Sequence, residues 1–157
     1  MSNIAMKDMK DTPYLYVDVN CTTDPEDISK HCDIAFAKVR DFAQEQGIET
    51  VGDSLSVYYE HNEKVMKFRA GYIVTSEDVK KAEGDVKGDS LPAIRAVNFI
   101  HKGPYANLRN SYAMLMEYIA NNSMQIAAPT AEIYIRSPEE AASEAELETD
   151  IYVAVAA

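Results

Sequence analysis

Hydrophobic residues recur with period two in some stretches of the chain and every three or four residues in others, and the switches between the two mark its elements. From Pro13 onward, Tyr14, Tyr16 and Asp18 alternate with Leu15, Val17 and Val19, which predicts a strand. A helix start follows, with Asp24 as N-cap, Pro25 in the first helical position and acids in the first turn. Ile28, Cys32, Ala35, Phe36, Val39, Phe42 and Ala43 then share one helical face, Cys32 as a packing residue, until Gly47 supplies the C-terminal cap. Beyond a turn at Gly52-Asp53, Leu55–Tyr59 reads as a second strand and His61-Asn62-Glu63-Lys64 as a turn. Val65–Val74 reads as a third strand, interrupted at Gly71. The polar stretch Thr75–Ser90, with Gly84 and Gly88, is expected to be a linker holding at most a short helical turn.

The same order then returns. Ile94–Ile100 predicts a strand, and Lys102-Gly103-Pro104-Tyr105 turns into a helix with the stripe Leu108, Tyr112, Leu115 and Ile119, stopped by Asn121-Asn122. Thr130–Arg136 predicts a strand, Ser137–Thr149 a solvated acidic loop and Asp150–Val155 the last strand. The pattern is an internal duplication of a strand-helix-strand-strand unit, with halves at about 13–74 and 91–155 and a linker at 75–90. Laid side by side, Leu55-Ser56-Val57-Tyr58-Tyr59 falls on Ala131-Glu132-Ile133-Tyr134-Ile135, and Gly71-Tyr72-Ile73-Val74 on Ile151-Tyr152-Val153-Ala154. Neither half has enough apolar surface on one face to stand alone, so the two sheets are expected to join. The expected fold class is α+β: duplicated units about a pseudo-twofold axis, with a central ligand cleft between them.

Within Pro129–Arg136, alternation places Glu132 and Tyr134 on one strand face and Ile133 and Ile135 on the other. If the isoleucines face a core, an acid and an aromatic ring stand together opposite, which suits a lipophilic or cationic small molecule. Alternation alone leaves open whether that face meets a pocket or water. Tyr58 and Tyr152 take the same side if Val57, Ile151 and Val153 face the helices, and Tyr14, Tyr16 and Tyr72 also fall on predicted strands. Phenol rings can hold cations and flat apolar groups, and each hydroxyl offers a hydrogen bond. Tyr105 is either a pocket residue or part of a helix start. In an apolar cleft Glu132 would titrate above the ordinary carboxylate range, and could neutralise a ligand cation or act as a general base.

Composition narrows the classes. A chain of 157 residues, 46% hydrophobic and 26% charged, fits one soluble domain or two small fused halves. The formal net charge of -11 works against nonspecific binding to nucleic-acid phosphates and favours cationic ligands or basic partner surfaces. Cys21 and Cys32 are too few for a disulfide framework and are expected as reduced thiols in a cytoplasmic protein. His31, His61 and His101 show no ligand spacing with them, so no metal and no cofactor is expected. No Ser-His-Asp arrangement or glycine-rich phosphate loop stands out. Met1–Asp11 reads as neither a signal peptide nor a membrane span, and nothing later approaches a spanning length.

One ordered series carries a resemblance. The strand ending in His101, Lys102-Gly103-Pro104-Tyr105, the helix to Ile119, Glu132-Ile133-Tyr134-Ile135, Pro138 and Ile151-Tyr152-Val153 resemble the GyrI-like, or AraC effector-binding (SOUL-SHS2-type), domain family. The likeness in element order runs from about Pro13 to Val155. It implies a single domain over 1–157, with a central pocket that holds Glu132 and has Tyr105 and Tyr152 at aromatic positions near it. Members include effector domains of drug-responsive transcription regulators, a small inhibitor of DNA gyrase, and stand-alone proteins, some of which hydrolyse strained-ring electrophiles.

The leading expectation is a stand-alone cytoplasmic protein that binds lipophilic, aromatic or cationic compounds. Its ligand contacts would be Glu132, Tyr134, Tyr152, Tyr105, Tyr58, Tyr16 and Tyr72. One alternative is a hydrolase in which Glu132 is catalytic, activating water while a tyrosine assists the leaving group. The other is a gyrase-inhibitor-like interaction protein that meets a topoisomerase or a separate regulator through its acidic surface. The chain departs from the family pattern in having no tryptophan, with Tyr112 in the second helix, and Ala154 where the last strand often has proline. The absent indole weighs against hydrolase chemistry. Too few residues precede Pro13 to hold a helix-turn-helix, so direct DNA binding is not expected.

Overall fold

The computed structural model describes residues 4–48, 51–59, 65–136 and 142–156. The turn expected at His61-Asn62-Glu63-Lys64 and the start of the acidic loop lie outside them. In chain order the elements are β1 (Ala5–Met9), β2 (Thr12–Thr22), α1 (Pro25–Glu45), β3 (Ser54–Tyr58), β4 (Val65–Ile73), α2 (Ser76–Val79), β5 (Lys87–Leu91) and β6 (Ile94–Lys102). A 3-10 turn at Tyr105–Asn107 leads into α3 (Leu108–Asn121), then β7 (Ile126–Arg136), a second 3-10 turn at Glu144–Glu146, and β8 (Glu148–Val155).

All eight strands join one sheet in the order β1-β6-β8-β7-β3-β4-β2-β5, and each neighbouring pair is antiparallel. The fold is α+β, a sheet curled into a half-barrel with its longer helices on one face. Two strands arise where none was expected. The stretch read as a linker contains α2 and most of β5, whose Lys87-Gly88-Asp89-Ser90 has no apolar alternation and docks on β2 through its backbone. Strand β4 also runs through Gly71 without a break. A Cβ there would fall 1.8 Å from the Leu15 carbonyl oxygen, so only glycine lets β4 pass this close to β2.

The inner face of the curl holds an apolar cluster. Met9 on one edge strand and Leu91 on the other share a buried cluster with Tyr14, Tyr16, Leu55, Val57, Ala96 and Ala131. Two short connections hold the curl. Residues 10–11 join edge strand β1 to β2, beside the opposite edge, and residues 92–93 join β5 to β6 in the same way. Two residues span only about 10 Å between flanking Cα atoms, so the edges approach at this end. The Ala93 amide donates to Asp11 Oδ1 at 3.0 Å and ties the two connections together.

The outer face carries the helices. Asp24 caps α1 by accepting from the Glu26 amide, Pro25 follows, and Gly47 takes the left-handed backbone (φ 68°) just past the end. Ala35, Val39 and Ala43 bury one face of α1 against residues of β2 and β4, among them Leu15, Val19 and Phe68. Leu115 and Ile119 of α3 pack on Val97, Ile151, Val153 and Val155 of β6 and β8. Each such valine, leucine or isoleucine side chain, when fully buried, contributes about 1.5–3 kcal/mol. Among the described residues no helix is long and apolar enough to cross a membrane.

Candidate functional site

Between these two helix-covered layers lies the central strand pair, β3 and β7. Its residues on the helix face include Ser54, Ser56, Tyr58, Thr130, Glu132 and Tyr134, paired by register as Ser54 with Tyr134, Ser56 with Glu132 and Tyr58 with Thr130. A polar seam therefore runs down the middle of the sheet, where folding alone would favour apolar side chains. Ser56 and Glu132 are almost wholly buried.

Glu132 is the centre of the seam. Tyr112, reaching down from α3, donates its hydroxyl to one carboxylate oxygen, and Tyr134 donates to the other at 2.8 Å. Ser56 Oγ lies 2.8 Å from the Tyr134 hydroxyl and supports it as a donor. Burial raises the Glu132 pKa above the ordinary carboxylate value; the two phenol hydrogen bonds and His101 oppose the rise without cancelling it. Burial, and then the negative Glu132, push the pKa values of Tyr112 and Tyr134 far up, so both stay protonated donors at neutral pH. Among the described residues no lysine or arginine forms an ion pair with Glu132.

Aromatic rings pack around it. Tyr105 meets Tyr134 edge-on at 5.6 Å between centroids, and Phe36 of α1 does so from the other side at 6.2 Å. Phe36 also touches Tyr72 at 5.8 Å. Burial and Glu132 together raise Tyr105 and Cys32 each to about 12. Tyr105 is 37% exposed, at the surface end of this cluster. His101 seats α3 above the seam: Nε2 donates to the Pro104 carbonyl at 3.1 Å, which leaves Nδ1 to accept from Ser111 Oγ at 2.7 Å. Thr149, register partner of Tyr134, keeps a buried hydroxyl that lacks a hydrogen-bond partner in this structure.

Of the expected site residues, Glu132, Tyr134, Tyr105, Tyr58 and Tyr72 occupy the helix face. Tyr16 and Tyr152 are not brought to them. Ile151 and Val153 face α3 as expected, but Val57 faces the inner core, and the face shared by Glu132 is the one the helices cover. Tyr152 pairs with Ala131 and Tyr72 with Ser54, so the two tyrosines that seemed equivalent by sequence are one residue out of step. With a side-chain period of two, that slip sends Tyr152 through the sheet. There burial and Asp150 raise its pKa to about 12. Tyr16 lies on the same inner face beneath the Arg69 guanidinium, 4.4 Å from its ring centroid. Tyr112, Ser56 and Phe36 were not among the expected contacts. Tyr112 sits in an apolar helical stripe and reads as packing; its polar tip on that stripe was the available signal.

The arrangement can do one thing well. A buried carboxylate, held by neutral donors and packed among aromatic rings, can offer a partner charge and ring faces to a cation.

Comparison with known proteins bears on the fold. The C-terminal domain of EcmrR superposes with a TM-score of 0.80 at 25% identity, covering 99% of this chain and 98% of that one. A hydrolase from Listeria innocua shares the fold at 14% identity and a TM-score of 0.63, over 98% of this chain and 91% of that one. SAV2435 bound to tetraphenylphosphonium does so at 13% identity and a TM-score of 0.58, over 98% and 94%. No curated protein sequence matches the chain. Residues 2–156 match the model of the GyrI-like small molecule binding domain, and with nearly its whole length covered the chain belongs to that family.

Proposed function

We propose that this protein binds lipophilic or aromatic cations between α1 and α3, with Glu132 as their counter-charge. The observation that carries the reading is a buried carboxylate whose hydrogen-bond donors, among the described residues, are uncharged phenols. A ligand cation supplies the positive charge that the seam lacks, in surroundings where its attraction is poorly screened. Entry displaces Tyr105, and Tyr134, Phe36, Tyr58 and Tyr72 provide the walls. The cationic compound on SAV2435 has the same chemistry.

In this reading the whole chain is one domain built from two halves, 13–74 and 91–155, about a pseudo-twofold axis. The strand order supports it: β2-β4-β3 and β6-β8-β7 meet head to head at the centre of the sheet. The axis then passes through the Ser56–Glu132 pair, so the two halves contribute an alcohol and an acid to one site. Hydrolysis at Glu132 would need a water bound to the carboxylate, whereas its donors among the described residues are the phenols of Tyr112 and Tyr134, which favours binding as the role.

The test is a calorimetric titration of tetraphenylphosphonium and of neutral triphenylphosphine oxide into the wild type and Glu132→Gln. The wild type should prefer the cation. The variant should lose at least about tenfold in cation affinity, about 1.4 kcal/mol, with little change for the neutral compound. Equal cation affinity in the two proteins would remove Glu132 from the site.

A further inference from the structure

We propose that Cys21, Asp27 and His31 form a binding site for a divalent transition metal, zinc foremost, at the junction of β2 and α1. One ligand atom from each residue, the thiol sulfur, a carboxylate oxygen and an imidazole nitrogen, lies within 4.8 Å of the other two. The spacing along the sequence gives no hint of this. The cysteine comes from the end of a strand, and the other two come from the first turns of the helix that folds back over it.

The junction already orients two of the three ligands. Asp27 and His31 are one turn apart on the same helical face. Asp27 Oδ2 accepts from the Thr22 amide at 2.8 Å and from Thr22 Oγ1 at 2.9 Å, which fixes the carboxylate and turns Oδ1 toward His31 Nδ1 at 3.3 Å. The bonds from Thr22 are accounted for by capping the start of α1. His31 Nδ1 also lies 2.8 Å from the Asp27 carbonyl oxygen, a helical contact that a metal bound through Nδ1 would replace, whereas neither capping nor that contact accounts for the thiol gathered beside the carboxylate. Cys21 is buried on β2, while the His31 and Asp27 side chains are 39% and 30% exposed, which leaves a path from solvent.

The donor set selects the metal. Tetrahedral zinc, with bonds of about 2.0–2.3 Å, holds its ligand atoms about 3.3–3.8 Å apart, so the cluster needs to close by about an ångström. Sulfur and nitrogen donors favour zinc, cobalt and nickel over magnesium and calcium, which prefer oxygen. Three protein ligands leave a fourth position for water or a small anion. The site is separate from Glu132, although Cys32, next to His31, has its thiol pKa raised in part by Glu132.

Cobalt titration of the reduced full chain tests the assignment. The wild type should develop a near-ultraviolet thiolate-to-cobalt charge-transfer band that zinc abolishes by displacement, and zinc should raise the melting temperature. Cys21→Ser should remove the band. His31→Ala, a half-exposed position that the fold tolerates, should weaken cobalt binding by more than about tenfold. Cys32→Ser should keep both band and affinity. No charge-transfer band in the folded wild type, a band surviving Cys21→Ser, or unchanged affinity in His31→Ala would overturn the proposal.

Discussion

Glu132 is a carboxylate that the fold itself gains little from burying. Its pKa is raised by burial, so between the ordinary value and the raised one the native state keeps a proton that the unfolded chain has released. Stability therefore falls as pH rises through that window. Glu132→Gln removes this contribution, so the melting temperature of the variant relative to wild type should climb with pH. A gap that stays constant across the range would mean the carboxylate is not held in a desolvating site. Neighbouring tyrosines separate by face. Tyr112→Phe takes a donor from Glu132 and should alter cation affinity, whereas Tyr152→Phe, across the sheet, should leave it unchanged; titrating both variants with one cation decides between the faces. Alternation along Thr130–Arg136 is enough to pair Glu132 with Tyr134 from sequence. It cannot say which strand face a helix will cover, and that is why Tyr16 and Tyr152 were expected in a cluster that lies on the other side.

At the level of elements, the long helices and central strands announce themselves because each buries one face. The α1 stripe and its Asp24 cap, and the Leu115–Ile119 stripe of α3, are visible as periodicity. Edge strands are different. β5 is held by backbone bonds to β2, and its side chains are largely polar, so its sequence resembles a loop. Gly71 marks close backbone packing rather than an interruption. Gly71→Ala should cost about 3 kcal/mol or more by forcing β4 away from Leu15, measured as a fall in the urea midpoint. A variant as stable as wild type would show that the strands can part at no cost.

The whole molecule pairs two apolar layers under helices with a polar seam between them. Strand order explains the seam: β3 and β7, the first strand after each long helix, meet at the centre of the sheet, and α1 and α3 cover the strands on either side. One continuous sheet fits the expectation drawn from the scant apolar surface of each stretch, but the edge-to-edge curl has no such signal, because it depends on two short connections that carry no hydrophobic pattern. A site between two seated helices should tighten the molecule when filled. A cation at a hundred times its Kd adds about 2.7 kcal/mol to stability by mass action. Thermal melting should show a rise with tetraphenylphosphonium in the wild type at neutral pH and a much smaller one in Glu132→Gln. An equal rise in both would place the ligand elsewhere.

The most direct measurement is a crystal structure of the protein with tetraphenylphosphonium bound. The phosphonium centre should face the Glu132 carboxylate, with phenyl rings against Tyr134 and Phe36 and with Tyr105 swung outward. A cation bound on the inner face beside Tyr16 and Tyr152, with the Tyr112–Glu132–Tyr134 hydrogen bonds intact, would contradict it.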